Sequence, residues 1–181
     1  RLPSKDDQAK IGYFDPNKEK KFVEISTTSS FNFQQGCMLQ WLGPDYNTKV
    51  VYNDMIDNNL VSIIIDIQNG EKKVCDYAIY SMHPKGIHAV TIDFERHHWC
   101  RRGYSYDGNF SDRKNKAIVD NDAIWLVDLN NNSWKEIIKL KDMIKNQPLS
   151  NMSGAIHYLE HLMFNFSGDR FCFLHRWKIA D

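Results

Sequence analysis

Residues 62–76 read SIIIDIQNGEKKVCD: an apolar strand that ends in Asp, a polar turn, and a second strand with Lys at its start. Two further segments repeat this pattern, residues 11–25 (IGYFDPNKEKKFVEI) and residues 124–138 (IWLVDLNNNSWKEII). A strand–turn–strand unit that recurs at a period of about 50 residues is typical of a β-propeller, whose blades are four-stranded antiparallel sheets. The sequence therefore predicts an all-β fold in which each copy is the outer hairpin of a blade.

Apolar segments between these copies predict the inner hairpins, with Gly, Pro or Asp at turns near residues 43–45, 83–86 and 166–169. The resulting order is an outer hairpin, two complete blades and an inner hairpin, which together form one incomplete propeller domain over residues 1–181. This amounts to about three blades, whereas propellers close with at least about four. We therefore expect a larger propeller of about six to eight blades, completed by missing sequence or by another chain.

Composition excludes some partners. The chain has 181 residues and a formal net charge of zero, so charge offers no argument for binding to nucleic acid or to an anionic membrane. No apolar run approaches the roughly 18 residues of a membrane-spanning helix, and the first residues do not resemble a signal peptide. The four cysteines lack metal-type or redox-type spacing, which predicts free thiols.

Two long connections predict where a functional site lies. Residues 95–121 join the second and third strands of a blade, and residues 141–160 join two blades; a helical turn is expected near residues 140–145. In a propeller both kinds of connection emerge on one face, around the mouth of the central channel. Long loops in a compact domain are usually functional or disordered.

Three histidines near the second long connection predict a metal site. His161 and His175 lie at equal distances from a turn near Gly168, and a regular hairpin would place their Cβ atoms about 5 Å apart. His157 precedes them in a loop that could fold back. Three imidazoles can bind a divalent cation such as Zn²⁺ or Mn²⁺, with Gln35 or Glu160 as a further ligand. Alternatively, these histidines hydrogen-bond the backbone where a blade begins.

The segment 94–106 concentrates His, Arg, Trp and Tyr, the residue types that bind carboxylates, stack on sugars or transfer protons. It provides the predicted catalytic residues, His97, His98 and Arg101. The predicted substrate-binding residues of this face are Gln34, Gln35, Arg96, Trp99, Tyr104, Tyr106 and Arg176. The alternative is a basic loop that pairs with neighbouring acids.

The segments 33–41 (FQQGCMLQW), 51–54 (VYND) and 102–106 (RGYSY) resemble bacterial propeller proteins related to oligogalacturonate lyase, as does the segment 161–168. A broader resemblance to TolB-like propellers covers the chain as a repeat pattern. The lyase resemblance implies a manganese ion held by three His and a Gln, of which only His161 carries over to this sequence. It also implies a bacterial protein, in the cytoplasm or the periplasm, that cleaves uronic-acid oligosaccharides by β-elimination.

β-Elimination requires a cation to neutralise the uronate carboxylate and a base to remove the C5 proton. Under the resemblance, Arg101 or a metal at His161 would do the first, and His97 or His98 the second. A non-catalytic propeller that binds a glycan or a protein through the same face is the alternative function. A hydrolase would need two carboxylates about 5 to 10 Å apart, which the sequence does not pair.

Overall fold

The computed structural model describes residues 1–17, 21–108, 110, 120–146 and 148–179. This part of the chain is mostly β and folds into several antiparallel sheets. Two four-stranded sheets, β3–β6 and β7–β10, are accompanied by the hairpins β1–β2 and β11–β12. The strands are β1 Ala9–Phe14, β2 Phe22–Thr28, β3 Gln40–Trp41, β4 Lys49–Ile56, β5 Asn59–Asp66, β6 Lys72–Cys75, β7 Ser81–Met82, β8 His88–Thr91, β9 Ala123–Asp128, β10 Ser133–Lys139, β11 Ile156–Phe164 and β12 Phe171–Lys178.

The aspartate of each repeated segment closes its turn in the same way. The Oδ1 atoms of Asp15, Asp66 and Asp128 each accept a hydrogen bond, 2.9 Å long, from the backbone N–H two residues further on. An Asp side chain that binds its own backbone in this way mimics a turn and orients the chain for a return strand. The repeated Asp is therefore a turn residue, and it explains why all three segments form hairpins.

Three apolar layers join successive sheets. Val50, Tyr52 and Ile63 of β4 and β5 pack with Ile11 of β1. On the opposite face of the same sheet, Val51 packs against residues of the β7–β10 sheet and of the segment before it, including Ile79, Ala89 and Val127. A third cluster, which includes Val90, Ile124, Leu159 and Leu162, connects the β7–β10 sheet to β11. The middle strands of the two four-stranded sheets thus bury residues on both faces, as expected for stacked sheets, whereas the outer strands β6 and β10 are largely exposed.

Side-chain hydrogen bonds also connect the strands β3, β7 and β11, which belong to three different sheets. Gln40 of β3 donates from Nε2 to the backbone oxygen of Tyr80 (3.1 Å) and accepts from the backbone N–H of Met82 (2.9 Å). Ser81 of β7 in turn accepts from the backbone N–H of Phe164 (3.2 Å). These bonds fix β7 between the other two strands.

Two short helices lie in the long connections. The helix α2, Leu140–Lys145, is at the position of the expected helical turn. The helix α1, Phe94–Cys100, was not expected; the carboxylate of Asp93 caps it by accepting a hydrogen bond from the backbone N–H of Arg96 (2.9 Å). No helix in the described ranges is long and apolar enough to cross a membrane. The four cysteines are free thiols, as predicted.

The grouping of the strands agrees with the predicted hairpin order, but one boundary is wrong. β11 begins at Ile156, so His157 lies within the strand and not in a preceding loop. Residues 156–160 are all buried, because this end of β11 packs against α1 and the core as well as pairing with β12. The central part of the predicted connection 95–121, residues 109 and 111–119, lies outside the described residues.

Candidate active site around Glu160

A buried carboxylate organises the cluster where α1 meets the last hairpin. Glu160 of β11 has no exposed surface, and its Oε1 accepts hydrogen bonds from Arg176 Nη1 (2.8 Å) and from Arg101 Nη1. Its Oε2 lies 3.3 Å from Nε2 of His97. The three partners are Arg176 of β12, Arg101 directly after α1, and His97 of α1 itself. Glu160 therefore connects the two long-connection regions that the sequence assigned to one face.

The electrostatics of this cluster favour an anionic ligand. Burial alone would raise the pKa of Glu160, but hydrogen bonds from His97, Arg101 and Arg176 outweigh it and lower the pKa to about 2. The carboxylate is thus ionised, and it faces two guanidinium groups, which leaves one positive charge in excess. The side chains of Arg101 and Arg176 are 22% and 44% exposed, so both remain accessible from solvent.

His161 places an exposed imidazole beside this cluster. It has a backbone φ of +56°, in the left-handed region, at a bulge where the register of β11 against β12 shifts. Its backbone N–H donates to the hydroxyl of Tyr80 (2.7 Å), and its Nδ1 lies 3.3 Å from Nε2 of Gln35. Gln35 also donates from Nε2 to the Tyr80 hydroxyl (2.8 Å). The imidazole Nε2 is 3.9 Å from Oε1 of Glu160.

Two predicted catalytic residues do not face solvent. His97 is buried, and burial lowers its pKa although Glu160 opposes that shift. His98 is also buried, with Nε2 2.7 Å from Nη1 of Arg102, and burial lowers its pKa too. The geometry therefore favours neither ring as a base that contacts a ligand. Arg101, the third predicted catalytic residue, lies in the Glu160 cluster.

The predicted substrate-binding residues divide into two groups. Gln35, Tyr104 and Arg176 join the cluster, since the Tyr104 ring lies 3.6 Å from Cζ of Arg101, measured to the ring centroid. The others lie apart from Glu160 or below the surface. Arg96 is buried and donates to the backbone oxygen of His157, Tyr106 is buried against Asn53, Trp99 packs on His98 and Arg102, and Gln34 is exposed in the loop before β3.

The predicted pairing of His161 with His175 is wrong. The bulge shifts the register so that His175 pairs with Leu159, and His157 pairs with Trp177. His157 Nδ1 instead lies 3.0 Å from Nε2 of His175, while His161 is on the Gln35 side. Within the described residues, no three His, Cys, Asp or Glu side chains form a group suited to a metal ion. The three histidines do not assemble into the predicted ligand set, and a divalent cation stays a prediction.

Two residues carry more of this site than the sequence indicated. The sequence suggests Glu160 as a further metal ligand and does not single out Tyr80. Tyr80 is buried, and burial is the main cause of its raised pKa, so its hydroxyl stays protonated and holds Gln35 and His161. Nothing in the sequence around Tyr80 marks it as a site residue. Its role depends on the contact between β11 and β7, the strand that begins directly after Tyr80.

Comparisons with family models, with curated proteins and with solved structures found no match for this chain.

Proposed function

We propose that the sheets are blades of a β-propeller and that the Glu160 cluster lies at the mouth of its channel. Three features support this architecture: the grouping of two, four, four and two strands in chain order, the apolar packing of successive sheets, and the hydrogen bonds between β3, β7 and β11. In a propeller the first strand of each blade lies nearest the axis, and in the proposed architecture β3, β7 and β11 would occupy that place. Gln35, Tyr80 and His161 would then face the channel.

We further propose that this site cleaves uronic-acid-containing oligosaccharides by β-elimination. The observation that carries the proposal is the excess positive charge of Arg101 and Arg176 around the buried Glu160, with the exposed imidazole of His161 beside it. Guanidinium groups bind carboxylates in a planar, two-point geometry. Because Glu160 already holds both arginines in position, little ordering is needed when a uronate carboxylate binds.

Each step of the elimination has a group in this cluster. The two arginines bind the C6 carboxylate and stabilise the negative charge that develops when C5 loses its proton. His161 takes that proton at Nε2 in the tautomer that carries its hydrogen on Nδ1, with the Gln35 amide turned so that its oxygen accepts from Nδ1. The electron pair of the C5–H bond forms the C4–C5 double bond while the C4–O bond breaks. The departing oxygen takes a proton from the hydroxyl of Tyr104, whose ring lies against Arg101.

A non-catalytic propeller that binds an acidic glycan through the same face is the second candidate. It is favoured because two of the three predicted catalytic residues, His97 and His98, are buried and do not face a ligand. Among the described residues, the exposed imidazole next to Glu160 is that of His161. In that case the arginines would bind the carboxylate and no bond would break.

Incubation with a panel of uronate oligosaccharides, followed by ultraviolet absorbance of the unsaturated product, tests the proposal. We expect product from the wild type, and a loss of about 100-fold or more for His161→Ala. Arg176→Gln should weaken binding and turnover, whereas Arg170→Gln is the matched control, since Arg170 is 84% exposed at the hairpin turn.

The remaining outcomes separate the alternatives. Binding that needs Arg176 but yields no product would support the binding protein and overturn the lyase. Loss of product with EDTA, restored by Mn²⁺ or Zn²⁺, would transfer the neutralising role from the arginines to a cation. No product and no binding with any uronate would contradict both candidates.

A further inference from the structure

A second concave site lies between the two four-stranded sheets, away from Glu160. It has a volume of about 380 Å³, within the usual range for small-molecule sites. Its walls come from the turn between β4 and β5, from the segment that leads from β6 to β7, and from the outer strands β9 and β10. The start of α1 closes one side. We call it the aromatic cleft after the three rings described next.

Tyr77, Trp125 and Trp134 form a continuous aromatic wall in the cleft. The ring centroids of Tyr77 and Trp134 are 6.0 Å apart, and those of Trp125 and Trp134 are 5.8 Å apart. Trp134 is 50% exposed although it is the largest side-chain type. A half-exposed Trp that packs on two further aromatic rings presents flat apolar surface to a ligand at little cost in conformational entropy.

The wall is held in place by a bond between the sheets. Asp76 donates its backbone N–H to Oδ1 of Asn132 (2.9 Å) and accepts a hydrogen bond from Nδ2 of Asn132 at its own carboxylate (2.6 Å). Asp76 leads into Tyr77, and Asn132 precedes Trp134 by two residues. The two rings are thus fixed relative to each other, which reduces the cost of ordering them on binding.

The polar lining defines the class of ligand. Three acidic residues, Asp76, Asp93 and Glu95, line the cleft together with Asn58 and Asn59, and no Lys or Arg belongs to its described walls. Planar polar side chains suit the hydroxyl groups of a sugar, while the aromatic wall suits its apolar C–H face. Three carboxylates would repel the carboxylate of a uronate.

We propose that the aromatic cleft binds a sugar ring without a carboxylate, with the C–H face of the ring stacked on Trp134. Glu95, in the first turn of α1, lines the cleft, and Arg101 follows the last residue of the same helix. Six residues of helix correspond to roughly 9 Å. A single glycan could then fill both the aromatic cleft and the Glu160 cluster, and the substrate would be a mixed polymer of uronate and uncharged sugars. This last step rests on the proposed function.

Isothermal titration calorimetry with neutral oligosaccharides of glucose, galactose and N-acetylglucosamine tests the cleft directly. We expect at least one of these probes to bind the wild type, and Trp134→Ala to weaken it about tenfold or more. Trp134→Phe should retain part of the affinity. Trp41→Ala is the matched control, because Trp41 is a similarly exposed Trp on β3, outside the cleft.

The outcomes distinguish this inference from the lyase proposal. Neutral sugars that bind the wild type and Arg176→Gln equally, but not Trp134→Ala, would support the cleft even if no uronate were cleaved. If no neutral probe binds, or if Trp41→Ala weakens binding as much as Trp134→Ala, the cleft proposal is overturned whatever the lyase assay shows. Aromatic rings beside acidic residues also suit an organic cation. If the cleft binds tetramethylammonium and no sugar, the proposal that it binds a sugar ring is overturned.

Discussion

The carboxylate of Glu160 is fully buried, whereas the imidazole of the next residue, His161, is 45% exposed and lies 3.9 Å away from it. In a regular strand the two side chains would point to opposite faces of the hairpin. The bulge and the positive φ of His161 bend the strand here, so the exposed imidazole remains beside the buried acid. A candidate base thus lies next to an anion that already holds two arginines.

Replacing Glu160 by Gln should destabilise the protein. The change keeps the shape of the side chain but removes the charge that partners Arg101, Arg176 and His97. Hydrogen bonds to charged groups contribute about 1.5–3 kcal/mol each, and partial exposure of the arginines reduces that figure, so we expect a loss of about 2–3 kcal/mol. Urea unfolding measures it. Glu71→Gln, at an exposed turn, is the control, and an equal effect of both changes would contradict the role of Glu160.

Stability should fall as the pH falls. Burial lowers the pKa values of His97, His157 and His175 in the folded protein. Below about pH 6.5 the unfolded chain therefore binds more protons than the folded protein, and the free energy of unfolding decreases. The lowered pKa of Glu160, about 2, stabilises the fold above its unfolded value of 4.5, and this contribution is lost as the pH falls further. Melting temperatures between pH 8 and pH 3 should decrease first below about pH 6.5 and again below about pH 4.5.

His157 and His175 should account for part of the first decrease, because protonating both would place two like charges at nitrogens that are 3.0 Å apart. His175→Gln should therefore flatten the dependence of melting temperature on pH between about pH 7 and pH 5. An unchanged slope in this variant would show that the pair does not control it.

Backbone strain at His161 predicts a conflict between stability and function. Glycine adopts positive φ without steric cost, so His161→Gly should increase the free energy of unfolding by up to about 1 kcal/mol while abolishing turnover. His161→Val should destabilise, because a β-branched residue is poorly tolerated at that φ. Asp57→Gly provides the comparison, since Asp57 has a φ of +49° in an exposed turn. It should alter stability in the same direction without changing turnover.

The repeated turn aspartates should be interchangeable with Asn but not with Ala. Asp66→Ala and Asp128→Ala each remove a 2.9 Å hydrogen bond to the backbone, and we expect each to lower the melting temperature. Asp66→Asn retains the accepting oxygen and should cost much less. Thermal unfolding of the three variants compares them; equal losses for Ala and Asn would imply that charge, and not turn geometry, is what the repeat maintains.

Much of the fold could be predicted from the sequence. The hairpins follow from local features: apolar strands, Gly and Asp at the turns, and a repeat that fixes which strands are neighbours. The helix α1 was missed, because its residues 94–100 are mainly polar and aromatic and lack a helical apolar stripe. The predicted pairing of His161 with His175 was wrong, because a bulge of β11 cannot be read from distances counted along the chain.

The sequence by itself determined the antiparallel hairpins, their order, and the region where His and Arg accumulate, because these depend on interactions between residues close together in the chain. Only the tertiary structure decided which of those side chains are buried and which meet. Glu160 joins Arg101 across 59 residues, and Tyr80 joins His161 across 81. Such contacts are set by how whole sheets pack, so no local pattern around either residue encodes them.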